Sequence, residues 1–136
     1  MPRVYQIEAE ERARIASFIA GELAQDPGVA FAYVYGSFAE ALPFHDIDIG
    51  VYRNGSDPSD DPERDLAQRL CAGLKMPVDV RVVNHAPTSF LFHVLRGELL
   101  LSRDDELLSS VIESTIRRHL DIAPILHHSA REAFAE

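Results

Sequence analysis

The sequence predicts a small α/β (α+β) domain, with a mixed sheet, helices packed on one face and a helical C-terminal region. Three observations carry this. The predicted element order is helix, two adjacent strands, helix, strand, then mostly helix. Only eight residues separate Ser37 from Asp46, too few for a crossover helix, so the first two strands form a hairpin or are offset by a short turn. The length, 136 residues, is one domain's worth and allows burial of roughly two-thirds of the unfolded surface.

Residues 8–24 read as the first helix, because Ile15, Phe18, Ile19 and Leu23 recur at helical spacing with Glu and Arg on the other face. Asp26-Pro27-Gly28 ends it. "VAFAYVYG" is a buried strand rich in valine and aromatics that stops at Gly36. "HDIDIGVYR" is the next strand, with Ile47, Ile49 and Val51 on one face and Asp46, Asp48 and Gly50 on the other. Residues 54–62 are a polar loop whose Asp61-Pro62 end supplies an N-cap and an N1 proline for a second helix. That helix runs to Leu74 with Leu66, Leu70, Cys71 and Leu74 inward.

"MPVDVRVVN" is a third strand, with Asp79 and Arg81 on one face and Val78, Val80 and Val82 on the other. A third helix follows, capped by Thr88 or Ser89, then a short strand at "ELLLS". A fourth helix starts after Asp104 as its cap. Leu107, Leu108, Val111, Ile112, Ile116 and Leu120 form its core stripe. Pro124 kinks or breaks the chain before a last helical stretch ending near Phe134.

Composition excludes several classes. The formal net charge is -9, which argues against non-specific binding to nucleic acid or an anionic membrane, since both need a basic footprint. Cys71 is the single cysteine, so no internal disulfide forms. No apolar run approaches a membrane span and the N-terminus has no apolar leader segment, so a cytoplasmic protein is expected.

The chemistry-bearing stretch is "YGSFAEALPFHDIDIGV" at 35–51. Residues i and i+2 of a strand share a face roughly 6.6 Å apart, so Asp46 and Asp48 can converge on one or two hard cations. Magnesium is such a cation, usually bound by one or two carboxylates plus substrate phosphates. A two-metal site wants a further carboxylate from another element. Asp79, a lone acid among valines, supplies one. Gly36 lets the backbone approach a ligand, and the Ser37 hydroxyl with nearby N–H groups can hold phosphate oxygens. The plain alternatives are a solvated strand face for Asp46 and Asp48, a salt bridge from Asp79 to Arg81, and a turn cap for Ser37. His45 reads as a hydrogen-bonded loop histidine, and His127 and His128 as surface or core residues without metal-site spacing.

Taken together, "YVYGSFAEALPFHDIDIGVY" and "MPVDVRVVNHAP" resemble the signature of the DNA polymerase β-type nucleotidyltransferase superfamily, and within it the minimal nucleotidyltransferases (MNT domains). "FHVLRGELLLSRDDE" and "IRRHLDIAP" resemble the tail of these proteins, so the likeness spans nearly the whole chain. Two details depart from the family pattern. Its usual Gly-Ser to Asp-x-Asp spacing is two residues longer, and Glu40 and Ala41 stand where it often has a basic residue and a glycine.

The resemblance implies a polymerase β-like nucleotidyltransferase fold in a single domain, 1–136, with a catalytic core at about 28–103 and a C-terminal helical region at about 104–136. It implies Mg²⁺ held by Asp46, Asp48 and Asp79, ATP as substrate, and Gly36 and Ser37 against the triphosphate. It further implies the antitoxin of a HEPN/MNT toxin–antitoxin pair, which transfers AMP to a hydroxyl, a tyrosine, of the HEPN toxin. Two other readings stay open: a non-catalytic antitoxin that binds its partner by occlusion, and a small-molecule nucleotidyltransferase whose homo-oligomer completes the pocket.

Overall fold

The structure, a computed structural model, describes residues 3–55 and 60–134, with side chains as far as Asp121. The elements run α1 (Ala9–Ala24), β1 (Val29–Tyr35), β2 (Ile47–Arg53), α2 (Pro62–Leu74), β3 (Val78–Val82), α3 (Thr88–Leu95), β4 (Glu98–Ser102) and α4 (Asp105–Phe134). The sheet order is β3-β2-β1-β4. β1 pairs antiparallel with both β2 and β4. β2 and β3 run parallel, joined through α2, which makes the sheet mixed.

Helices cover both faces of the sheet, not one. Ile15, Ile19 and Leu23 of α1 and Leu66 and Leu70 of α2 pack with Ala32, Val34, Ile47, Ile49, Val51 and Val80. On the opposite face Phe31, Tyr33 and Tyr35 pack with Val94 of α3 and Leu108 of α4. The cause lies in β1, buried at every position; a strand apolar on both sides needs cover on both. Gly50 of β2 makes the close approach of α3 possible, since a Cβ there would meet the Val94 side chain at 2.6 Å.

Local signals act as read at two helix starts. The Asp61 carboxylate accepts the Arg64 N–H at 3.1 Å ahead of Pro62, and Asp104 accepts the Leu107 N–H at 3.0 Å. At α3 the expectation fails: Thr88 is already helical, Pro87 takes the N-cap position, and no side chain caps it. The Pro87 carbonyl accepts the first helical N–H, from Leu91, at 2.9 Å. Cys71 is exposed rather than inward, because the buried stripe of α2 passes through Leu66 and Leu70. The α4 stripe divides as well. Leu108 is buried, while Ile116 and Leu120 are 43% and 58% exposed. α4 continues as one helix through Pro124 and ends at Phe134. His127 and His128 lie outside the residues whose side chains are described. Among the described residues no helix is long and apolar enough to cross a membrane.

Candidate active site

The antiparallel hairpin and the parallel crossover together set three residues side by side. Tyr35 is in register with Asp48 across β1 and β2, and Asp48 with Asp79 across β2 and β3. Neighbouring strands lie about 4.8 Å apart, so the two carboxylates are adjacent on the α3 face. Asp46 lies in the bend just before β2 and is exposed, whereas Asp48 and Asp79 are half-buried. Asp46 thus belongs to the rim of the site and not to the strand itself.

The Gly-Ser turn roofs this row. Gly36 has φ +78, a left-handed conformation, and a Cβ there would lie 2.8 Å from Asp48 Oδ2; only glycine meets both conditions. The turn closes through Glu40 N–H to Gly36 O at 3.1 Å and Leu42 N–H to Ser37 O at 3.0 Å. Ser37 itself is exposed. Two buried aromatics, Phe38 and Phe44, fasten the turn to the core and meet edge to face at 5.2 Å. Arg12 of α1 donates to the Phe38 carbonyl at 3.1 Å, and Tyr5 and Phe44 exchange backbone hydrogen bonds of 2.8 and 3.0 Å. These anchors let a short connection close, with Ala41 driven to φ +62, a conformation costing a non-glycine residue about 1–2 kcal/mol. His45 Nδ1 hydrogen-bonds Arg3 O at 3.1 Å, as a loop histidine should.

Electrostatically the row is frustrated. Desolvation, followed by the charges of Asp79 and Asp46, pushes the Asp48 carboxyl up to about 6. Burial, with Asp48 and Asp79 adding to it, pushes Tyr35 up to about 12. Asp79 is partly answered: Arg81, its i+2 neighbour, forms an ion pair with it at 3.2 Å. His93 and Arg81 act on Asp48 in the opposite sense, lowering it. Sequence reading missed His93. It stands on α3 with its ring edge-on to Tyr35 at 5.4 Å, a tertiary contact with no local signature.

A hard divalent cation suits this donor set. The donors are carboxylate oxygens, the central one is destabilised by burial and by its own neighbours, and Gly36 above it adds no side chain. Among the described residues no three Asp, Glu, His or Cys side chains converge as a ready-made cage. A cation here would therefore take ligands from substrate phosphate as well, which is how magnesium commonly binds.

Residues 18–106, well over half the chain, match the family model described as Polymerase beta, Nucleotidyltransferase. Comparison with curated proteins gives no match. Among solved structures the chain is similar to one in tri-AMPylated Shewanella oneidensis HEPN toxin in complex with MNT antitoxin. That likeness has 20% identity, 91% of this chain and 99% of that chain covered, and a TM-score of 0.68. The toxin–antitoxin MntA-HepT gives 19% identity over 90% of this chain and 99% of that one, at a TM-score of 0.66. A toxin–antitoxin structure with AMP-PNP gives 19% identity over 94% and 100%, again at 0.66. At these identities the likeness is one of fold.

Proposed function

From the premise that the chain belongs to the polymerase beta nucleotidyltransferase family, we propose that it transfers AMP from ATP to a hydroxyl, a tyrosine, of a HEPN-type toxin and acts as that toxin's antitoxin. The observation that carries this reading is the register of Asp48 with Asp79 beneath the Gly36 turn. It sets two carboxylates on adjacent strands, with an open backbone edge beside them. The solved relatives supply the substrate class: one contains an AMPylated HEPN toxin and another AMP-PNP. We assign the catalytic core to residues 28–103.

Gly36 and Ser37 would meet the triphosphate through backbone N–H groups and the exposed hydroxyl. Mg²⁺ would be held by Asp46, Asp48 and Asp79, where it would neutralise the carboxylates and offset charge developing on phosphate oxygens. The acceptor oxygen attacks the α-phosphorus in line. A new P–O bond forms as the bond to the β-bridging oxygen breaks, pyrophosphate leaves, and the hydroxyl proton passes to the Asp79 carboxylate. Arg81 holds that carboxylate in place until the acceptor arrives.

The test is an intact-mass measurement on the product of the neighbouring gene, incubated with this protein, Mg²⁺ and each nucleoside triphosphate in turn. The expected result is a gain of one or more adenylyl units with ATP. Asp79→Asn should bind ATP as the wild type does yet transfer at least about 10²-fold more slowly, a loss of about 2.7 kcal/mol or more in the transition state. If Asp79→Asn neutralises a co-expressed toxin as fully as the wild type, the protein acts by occlusion and the catalytic reading fails.

A further inference from the structure

Across the sheet from Asp79 the same face opens into a cavity of about 310 Å³. It lies between the Gly36 turn, the end of α3 and the start of β4, and Glu40, His93, Arg96 and Glu98 line it. The order of groups along the face is fixed by the strands: Asp79 on β3, Asp48 on β2 and Tyr35 on β1, with the start of β4 beyond Tyr35. An in-line displacement puts the leaving group opposite the attacking oxygen. With the acceptor at the Asp79 end, the leaving pyrophosphate points past Asp48 toward this cavity.

The charges there are unusual. Arg96 lines the cavity, yet among the described residues it makes no hydrogen bond or ion pair, even with Glu40 and Glu98 on the same walls. Its guanidinium lies over the Phe92 ring at 5.8 Å. Arg81, the arginine nearest the acids, is occupied by Asp79. The Gly-Ser turn contributes Glu40 and no cation. Among the described residues, a polyphosphate entering between these acids therefore finds the uncommitted Arg96 guanidinium at the end of α3, with the His93 imidazole one helical turn before it.

We propose that this cavity seats the β- and γ-phosphates of the donor nucleotide, with Arg96 as their cationic partner and His93 as a second hydrogen-bond donor. The inference rests on the nucleotidyl-transfer reading and adds to it the residues that grip the leaving group. A guanidinium fits phosphate oxygens in a two-point fork. Glu40 and Glu98, exposed at the rim, oppose phosphate, so binding of the tail depends on Arg96.

The experiment is calorimetric titration of the whole protein, in Mg²⁺, with ATP, pyrophosphate and AMP separately, for wild type, Arg96→Ala, Arg96→Lys and Asp48→Asn. Arg96→Ala should weaken ATP and pyrophosphate tenfold or more, the size expected for a lost charge-assisted hydrogen bond to phosphate. It should leave AMP within about twofold, and Arg96→Lys should recover part of the loss. Arg96 is exposed, so the variants are expected to fold, and unchanged melting of both confirms it before titration. Unchanged ATP and pyrophosphate affinity in Arg96→Ala, or an equal loss for AMP, overturns the proposal. If ATP binding responds to Asp48→Asn but not to Arg96→Ala, the proposal fails while the transferase reading stands. A wild type that binds no ATP defeats both.

Discussion

Replacing Asp48 with asparagine should raise stability at neutral pH while removing transfer. Asp48 is held at about 6 against an ordinary 3.8. A shift of roughly 2 units corresponds to a ceiling of about 3 kcal/mol. Asp48 is half-buried and open to solvent on one side, and screening there reduces the figure to about 1–2 kcal/mol. The folded carboxyl is the weaker acid, so folding takes up protons. Stability is greatest below the unfolded value near 4 and falls as pH rises through about 6. Asparagine keeps the shape and drops the charge. At pH 7.5 without divalent metal the variant should melt about 3–8 °C above wild type, and at pH 4 the two should coincide. Mg²⁺ should narrow the gap at pH 7.5 by stabilising wild type alone. Thermal melts at both pH values, with and without Mg²⁺, decide it. A variant less stable than wild type at pH 7.5, or equally stabilised at pH 4, refutes the account of Asp48 as a carboxylate crowded by Asp79 and Asp46.

Gly36→Ala places a methyl 2.8 Å from Asp48 Oδ2 at φ +78. It should cost about 1–2 kcal/mol in melting experiments and abolish detectable ATP binding by calorimetry; retained ATP affinity would show that the turn does not approach the nucleotide. Asp26→Asn removes the carboxylate that meets Arg53 at 2.9 Å, where the arginine side chain is only 8% exposed. Urea denaturation at pH 7 should show a loss of about 2 kcal/mol, because the buried guanidinium loses its two charge-assisted hydrogen bonds to Asp26. Arg53 holds the Asp26 carboxyl below its ordinary value, so this contribution is present above about pH 4 and fades as pH falls further. The deficit of the variant should shrink at pH 3, and a constant deficit would rule out the ion pair as its source.

Most of the architecture was legible because its signals are local. Alternation placed Asp48 and Gly50 opposite Ile47, Ile49 and Val51, and the burial of β2 follows that pattern except at Gly50, which α3 covers. The cap at Asp61 and the cap at Asp104 are short-range chemistry. What escaped depends on partners distant in sequence. The uninterrupted apolar run of β1 already signalled cover on both faces, but the helices that would supply the second layer had no address. Thr88 was a sound capping residue by type; the proline before it took the position. Among the candidate site residues, Asp48 and Asp79 stand out in the sequence as acids between valines and isoleucines. His93 and Arg96 sit on the side of α3 away from its buried Val94 and look like ordinary helix surface in the sequence. Ala41 shows how the departure from glycine is accommodated, since the turn keeps a left-handed residue there and tolerates the strain.

Strand β2 is hydrogen-bonded on both sides, to β1 and to β3. Its amides can exchange with solvent only when the sheet itself opens, so they belong to the slowest-exchanging class of a domain. Asp48 rides on that strand. Its position is inherited from the folding core and does not depend on a loop closing over substrate. The rim residues, Asp46, Ser37 and Glu40, are exposed and can drift through mutation at small cost to the whole. Hydrogen exchange should therefore divide the site in two, a slow-exchanging floor and a fast-exchanging margin, so that a change at the margin leaves the geometry of the floor in place.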